Sequence, residues 1–152
     1  MLTNKAKYSL RAMCALSALA PGDRLQAHAI AVRARVPVKF LEAMLVELRR
    51  AGFIDSRRGQ LGGHALAKPA ADIMVGHVIR VIDGPLAPVR CASLSAYQPC
   101  ADCPEPQACA LRALMGEARE ALSGVLDTCS LLALSQREAL ADAMPPPAGV
   151  AA

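Results

Sequence analysis

The sequence predicts a mainly α-helical protein that carries one small β-hairpin. Only four of the 152 residues are aromatic, and much of the 54% apolar content is alanine, which favours helices over strands. Apolar residues also recur every three to four positions in several segments, as they do on the buried face of a helix. A chain of this length suits one domain, or a small domain with an appendage, so a large multidomain enzyme is excluded.

Three helices are predicted near the N-terminus. The first is capped by Thr3 or Asn4 and runs to about Ala20, and the others span about residues 25–34 and 38–51. The third helix is expected to bury one apolar stripe, formed by Phe40, Leu41, Met44, Leu45 and Leu48. Two helices joined by a tight break, the second with a polar outer face, are typical of a helix-turn-helix.

A β-hairpin is predicted directly after these helices. Residues 53–57 and 64–68 are short enough to be paired strands, and the glycine-rich segment 58–63 forms the tip between them. Arg57 and Arg58 lie at the base of this hairpin, within reach of a DNA groove or its phosphates. Together, the helices and the basic hairpin predict a winged helix-turn-helix domain that binds double-stranded DNA.

The charge distribution supports this prediction. Residues 1–68 carry 12 Lys or Arg and 4 Asp or Glu, a net charge of +8, whereas residues 69–152 carry 5 and 9, a net charge of −4. A basic module is the usual electrostatic footprint of a protein that binds a polyanion. A basic surface that only faces solvent would have the same composition, so charge alone does not decide the function.

Individual roles at the DNA follow from side-chain chemistry. Lys39 and Glu42 lie near the N-terminal end of the third helix, which usually meets the base edges. Glu42 could accept a hydrogen bond from cytosine, and Lys39 could donate one to guanine or to a phosphate. A solvent-facing helix charge is the alternative for Glu42. Contacts to phosphates are expected from four further residues: Lys5, Lys7, Arg49 and Arg50.

The acidic half contains a cysteine-rich loop. After a short helix at residues 75–83, five prolines between residues 85 and 106 predict an irregular segment. Four thiols lie in or next to it: Cys91, Cys100, Cys103 and Cys109. Sulfur-rich sets select iron–sulfur clusters, zinc or copper(I), and the uneven spacing with a single CxxC favours an iron–sulfur cluster over zinc. A metal-free switch, with Cys100 and Cys103 as a reversible disulfide, is an alternative.

A long amphipathic helix should follow the cysteine loop. Its apolar seam is too long to be left exposed, and a two-fold dimer would suit the reading of two half-sites, so we expect a homodimer. The seam comprises Leu111, Leu114, Met115, Ala118, Leu122 and Val125. The expected organisation is a DNA-binding domain at residues 1–83, a cluster-binding loop at 84–110, the dimerisation helix with a short final helix at 111–143, and a disordered tail at 144–152.

Several other classes of function are not expected. No uncharged stretch reaches the roughly 18 residues that cross a bilayer, and the apolar run 12–20 fits a packed helix better than a secretory signal. We therefore expect a cytoplasmic protein with no membrane partner. His28, His64 and His77 lie beside no motif acid or nucleophile, so neither an enzyme nor a small-molecule substrate is expected. An iron–sulfur scaffold that does not bind DNA is the alternative of another class.

A family resemblance adds to this interpretation. Several motifs occur in a fixed order, including Phe40-Leu41-Glu42-x-x-Leu45, Leu48-Arg49-x-Ala51-Gly52 and Arg58-Gly59-x-x-Gly62-Gly63. In this order they resemble the IscR/NsrR/RirA-type winged-helix regulators over about residues 2–135. The resemblance implies a homodimeric DNA-binding repressor or activator, with repression the expected direction, whose operator binding depends on an iron–sulfur cluster.

The resemblance also implies roles for single residues. Cys91, Cys103 and Cys109 match the family's three cysteine ligands, and Glu42 and Arg58 match its base- or groove-contacting positions. Two departures concern the fourth ligand. Arg112 stands where IscR-like members place a ligating histidine, and Cys100 is an extra thiol that is either the fourth ligand or a spare thiol.

Overall fold

The computed structural model describes residues 2–103 and 105–143, and it confirms the mainly α-helical fold class with one hairpin. The described residues form the following elements: α1 (Asn4–Ser17), α2 (Ala27–Ala34), α3 (Val38–Arg50), β1 (Ile54–Arg57), β2 (Gly63–Leu66), α4 (Val75–Asp83), α5 (Ala110–Leu126) and α6 (Leu131–Ala143). Single turns of 3-10 helix occur at Ala70–Asp72, Arg90–Ala92 and Pro106–Ala108. The expected tail at 144–152 lies outside the described residues.

Helix α1 is the central element of the winged-helix module. Thr3 caps it, because its Oγ1 accepts a hydrogen bond from the Ala6 N–H at 3.2 Å. The helix ends at Ser17, three residues before the expected end. Its buried face includes Leu10, Met13 and Leu16, and it packs against α2, α3, α4 and α6. Burial of these side chains supplies much of the core of the N-terminal half.

Helices α2 and α3 form the predicted helix-turn-helix. Arg35 ends α2 in the left-handed conformation, at φ 53°, and its N–H bonds back to the last turn of that helix. Helix α2 begins at Ala27 instead of residue 25, because Leu25 pairs with His64 through two backbone hydrogen bonds of 3.0 and 2.8 Å. This bridge attaches the start of the helix-turn-helix to the hairpin.

The expected burial of Phe40 is wrong. The other four residues of the predicted stripe are buried, but Phe40 is 49% exposed. It lies in the first turn of α3 and borders a surface groove together with Asn4, Lys5 and Tyr8 of α1. The ammonium of Lys39 lies 4.9 Å from the centre of its ring, a cation–π contact at the surface.

The hairpin is antiparallel, and Ile54 pairs with Leu66 and Arg57 with Gly63. Two positions at the tip have no room for a β-carbon and are occupied by glycine. A β-carbon on Gly62 would collide with the Arg57 carbonyl oxygen, and one on Gly63 would lie 2.6 Å from the Leu25 carbonyl oxygen. Gly63 also has a φ of 128°, which disfavours any other residue. Gly62 is therefore needed for the turn of the hairpin itself, and Gly63 for the close approach of the hairpin to the start of α2.

The C-terminal elements are attached to the winged helix by backbone hydrogen bonds and by packing. Leu131 N–H donates to the Ile73 carbonyl at 2.7 Å, and Val75 N–H donates to the Cys129 carbonyl at 2.9 Å. Leu131 is fully buried, and α6 packs on α1. The short final helix therefore completes the core of the winged helix. None of the helices within the described residues is long and apolar enough to span a membrane.

Candidate DNA-binding surface and cysteine loop

The outer face of α3 carries four of the residues that the sequence predicts at the DNA. Lys39, Glu42, Arg49 and Arg50 are all exposed, and the opposite face is buried through Leu41, Met44, Leu45 and Leu48. Three of these four exposed side chains are cationic. The amphipathic pattern of α3 thus holds the charged face towards solvent, where a duplex could approach it.

Lys5 and Lys7 lie at the start of α1, which packs against α3. Lys5 forms an exposed ion pair with Glu47 of α3, with 2.7 Å between Nζ and Oε1. The ammonium of Lys7 lies 5.5 Å from the centre of the Tyr8 ring. Lys7 is therefore the better placed of the two for a phosphate contact, since Lys5 would first have to leave its carboxylate.

Arg57 and Arg58 are both exposed on the hairpin, but they lie at its tip end and not at its base, because Arg57 pairs with Gly63 next to the turn. Two residues that sequence reasoning missed support the hairpin. Arg24 bonds through Nη2 to the Asp55 carboxylate and donates through Nη1 to the Gly63 carbonyl at 3.3 Å. This pairing lowers the pKa of Asp55. Gln26 Nε2 donates to the Gly62 carbonyl at 3.2 Å. The acceptors of Arg24 and Gln26 all lie more than 30 residues along the chain, and two of them are backbone carbonyls. No local sequence pattern would have indicated these contacts.

The four loop cysteines affect one another's pKa: Cys91 and Cys103 both act on Cys100, and Cys109 and Cys91 both act on Cys103. Cys100 interacts with Cys91, and hydrogen bonding between these thiols raises the pKa of Cys100. Cys103 interacts with Cys109. Burial, and then this contact, raise the pKa of Cys103. Among residues 2–103 and 105–143, no three His, Cys, Asp or Glu side chains are grouped as a bound metal ion would require.

Cys109 occupies the N-cap of α5, and this position changes its chemistry. Its Sγ accepts a hydrogen bond from the Arg112 N–H at 3.5 Å. This bond, together with the contact to Cys103 and the charge of Arg112, lowers the pKa of Cys109. Free N–H groups at a helix start favour a thiolate, which is the form that binds iron or zinc.

Two arginines of α5 hold the cysteine loop against this helix. Arg112 Nε donates to the Cys91 carbonyl at 2.9 Å and its Nη1 donates to the Pro106 carbonyl at 3.1 Å. Arg119 Nη1 donates to the Ala92 carbonyl at 2.6 Å. The sequence resemblance places Arg112 where related regulators have a ligating histidine, and here its guanidinium binds two backbone carbonyls of the loop, those of Cys91 and Pro106. Its structural role was not predicted, because its acceptors are carbonyls up to 21 residues away.

The predicted dimerisation seam runs along α5. No side chain of Ala110–Leu126 is fully buried in the single chain. Leu111, Leu114, Leu122 and Val125 are exposed, by 44–64%, and Met115 and Ala118 are half-buried. All six seam residues therefore lie on a helix that its own chain covers only in part. Such an apolar face is costly in water unless another surface meets it.

The far end of α5 is joined to the winged helix by an ion pair. Arg80 of α4 donates through Nη1 and Nη2 to the two carboxylate oxygens of Asp127, at 2.5 and 2.8 Å. The pair lowers the pKa of Asp127 and raises that of Arg80. Gly76 allows this approach, because a β-carbon there would collide with Asp127 Oδ1.

Comparisons with known proteins agree with this arrangement. Residues 2–137 match the Rrf2 family, described as an iron-dependent transcriptional regulator. A Rhodobacter capsulatus protein named as rrf2-like is 41% identical over 134 residues, which cover 86% of this chain and 89% of that protein.

Two solved structures share the fold. The global cysteine regulator CymR of B. subtilis superposes with a TM-score of 0.73 at 30% identity, covering 90% of this chain and 97% of that one. IscR of T. potens superposes with a TM-score of 0.71 at 25% identity, covering 96% and 93%. The winged-helix prediction is thereby confirmed.

Proposed function

The chain belongs to the Rrf2 family of transcriptional regulators, and on that premise we propose that an iron–sulfur cluster on its cysteine loop controls its binding to operator DNA as a homodimer. One observation carries this proposal. The loop with four thiols is hydrogen-bonded to one end of α5, and the other end of α5 is ion-paired to the winged helix. A change at the thiols can therefore alter how the DNA-binding module is held.

The donor set suits an iron–sulfur cluster in its chemistry. Cys91, Cys103 and Cys109 are the proposed ligands, and Cys100 is the candidate for the fourth. The backbone N–H of Arg112 at the N-terminus of α5, and to a smaller extent the guanidinium of Arg112, lower the pKa of Cys109 and so favour its thiolate. A cluster would supply redox-sensitive iron, which the side chains alone do not provide. The four thiols already influence one another electrostatically, as thiols of one loop that share a ligand would.

The residues around the thiols would couple the conformation of the cysteine loop to the position of α5. Arg112 and Arg119 donate to carbonyls at residues 91 and 92, next to the first thiol. Each such bond contributes about 1 kcal/mol, and bonds from a charged donor contribute somewhat more. A rearranged loop would break these bonds and release the N-terminal half of α5, whereas the pair of Arg80 and Asp127 would still hold its other end.

At the DNA, α3 would enter the major groove with its N-terminal end leading. Lys39 and Glu42 would then face base edges, and the hairpin would bring Arg57 and Arg58 to a neighbouring groove or its phosphates. Arg49 and Arg50, together with Lys5 and Lys7, would neutralise phosphates. Pairing of two α5 helices through the exposed seam would set the spacing between two copies of α3.

The cluster is tested by anaerobic purification. The protein should be brown, absorb visible light and hold roughly two or four iron atoms per chain with matching sulfide. Cys91→Ala, Cys103→Ala and Cys109→Ala should each abolish the absorbance, because each removes a ligand. Cys100→Ala should lose the absorbance if Cys100 is the fourth ligand and should keep it if Cys100 does not bind the cluster. Cys129→Ala is the control and should keep the absorbance. A colourless protein with stoichiometric zinc would contradict the proposal.

Binding to DNA is tested by its salt dependence on a random-sequence duplex. The double variant Arg49→Ala/Arg50→Ala should lower the slope of log affinity against log salt by roughly 0.9 for each phosphate that the two arginines neutralise. Arg137→Ala is the matched control, since Arg137 is an exposed arginine on α6. Absence of salt-dependent binding in the wild type would favour the alternative of an iron–sulfur scaffold that does not bind DNA. An unchanged slope in the double variant would show that Arg49 and Arg50 of α3 do not contact the DNA.

The dimer is tested by sedimentation. The wild type should sediment at twice the chain mass of 15.9 kDa, and Leu114→Glu should be monomeric at micromolar concentration, because it places a charge within the apolar seam. Leu61→Glu provides the control, since Leu61 is 97% exposed at the hairpin tip. A monomeric wild type, or a dimeric Leu114→Glu variant, would exclude the seam as the interface.

A further inference from the structure

The tip of the hairpin presents one large apolar side chain to solvent. Residues 57–61 are all exposed, and Leu61 is the only large apolar residue among them. Its side chain is 97% exposed, so it makes almost no contact with its own chain. A single apolar residue at a surface is ordinary in itself. The significance of Leu61 comes from how the tip is held and from the charges around it.

The turn that carries Leu61 is held in place at both ends. The Gly62 N–H donates to the Gly59 carbonyl at 3.0 Å, which closes the turn. Gln26, next to the start of α2, donates through Nε2 to the same Gly59 carbonyl at 3.4 Å and to the Gly62 carbonyl at 3.2 Å. Gly62 and Gly63 are themselves buried. The backbone beside Leu61 is therefore attached to the helix-turn-helix, while the leucine side chain extends into solvent.

The hairpin is also attached to α3, the predicted recognition helix. The Phe53 N–H, just before β1, donates to the carbonyl of Leu48 near the end of α3 at 3.0 Å. On the other strand, Leu25 and His64 exchange two backbone hydrogen bonds, which join β2 to the start of α2. The hairpin tip and the exposed face of α3 would therefore approach a duplex together, as one surface.

Positive charge surrounds the leucine. Arg57 and Arg58 are exposed within four residues of it in the sequence. Residues 54–66 contain one acidic side chain, Asp55, and its carboxylate is paired with Arg24. Arg57 Nε lies 3.8 Å from the same carboxylate, but the Arg57 side chain is still 72% exposed. The tip therefore combines an apolar point with a cationic base, which is complementary to a groove bordered by phosphates.

The minor groove is the part of a duplex that this tip would meet. The major groove admits an α-helix, and in the proposed function α3 occupies it. A hairpin attached beside that helix then faces the adjacent minor groove, which is about 6 Å wide. Proteins that bind there often insert an apolar side chain such as leucine between two base pairs, which partly unstacks them and bends the duplex.

From the exposure of Leu61, its fixed turn and the surrounding charge, we propose that Leu61 inserts into the minor groove beside α3 and partly unstacks one base-pair step. This inference rests on the proposed binding of DNA and adds a second source of sequence specificity. Pyrimidine–purine steps such as TA unstack most easily, so the protein should prefer one at a position that α3 does not touch. Arg57 and Arg58 would favour A·T pairs around it, because narrow A·T-rich minor grooves attract arginine.

The sequence preference is tested by selecting duplexes from a random-sequence library with the wild type and with Leu61→Ala. The wild-type pool should contain a pyrimidine–purine step at a fixed distance from the bases that α3 reads. The Leu61→Ala pool should lose this step and keep the other bases. Leu94→Ala is the matched control, since Leu94 is an exposed leucine of the cysteine loop, and it should select the wild-type pool. Identical pools for the wild type and Leu61→Ala would overturn the proposal.

Unstacking is measured with 2-aminopurine, a fluorescent adenine analogue whose emission rises when it leaves the base stack. It replaces the adenine of the preferred step in one duplex from the wild-type pool. Saturation with the wild type or with Leu94→Ala should raise the fluorescence, whereas saturation with Leu61→Ala should not. Leu61→Ala should also bind this duplex about tenfold more weakly, which is within the range for one mismatched base pair. Equal fluorescence with the wild type and Leu61→Ala would overturn the proposal.

The salt dependence of binding separates this inference from the proposed function. Leu61→Ala removes no charge, so its slope of log affinity against log salt should equal that of the wild type. If the wild type binds with a steep slope but raises no fluorescence, the inference about Leu61 fails and DNA binding stands. If the wild type binds no duplex, the proposed function and the inference fail together.

Discussion

The ion pair between Arg80 and Asp127 sets the position of α5 relative to the winged helix. Helix α5 buries no side chain fully within its own chain, so packing alone does not fix its direction. The pair is bidentate, and Gly76 leaves room for it where a larger residue would collide with the carboxylate. Two backbone bonds, Leu131 to Ile73 and Val75 to Cys129, secure the chain just beyond it. The C-terminal end of α5 is consequently the fixed end.

The other end of α5 is held differently. Arg112 and Arg119 bind backbone carbonyls of the cysteine loop, and Cys109 caps the helix. These contacts involve the loop that carries the four thiols, and each contributes only about 1–3 kcal/mol. In the proposed function, a change in thiol ligation would be enough to break them. The asymmetry between a fixed end and a conditional end makes α5 a suitable element for transmitting a signal to the DNA-binding module.

Much of this arrangement could be predicted from local sequence patterns. The features that could not be predicted depend on the tertiary structure. The bounds of α4, the buried stripe from Leu41 to Leu48 and the exposed cations of α3 follow from helical periodicity and from Gly84 as a helix end. Phe40 lies on the same stripe but in the first turn, beyond the core, which periodicity cannot detect. The roles of Arg24, Arg112 and Arg119 depend on carbonyl acceptors far along the chain.

In the proposed function, α5 couples the cysteine loop to DNA binding. The most direct test compares cluster-loaded and reduced iron-free protein on one duplex, selected from a random-sequence library by the cluster-loaded form. The two affinities should differ by about tenfold or more, and Asp127→Asn, which breaks the fixed end of α5, should shrink that ratio while the cluster absorbance is retained. Equal affinities of the cluster-loaded and iron-free wild type would exclude any coupling between the cluster and DNA binding. An unchanged affinity ratio in Asp127→Asn would exclude α5 as the element that carries it.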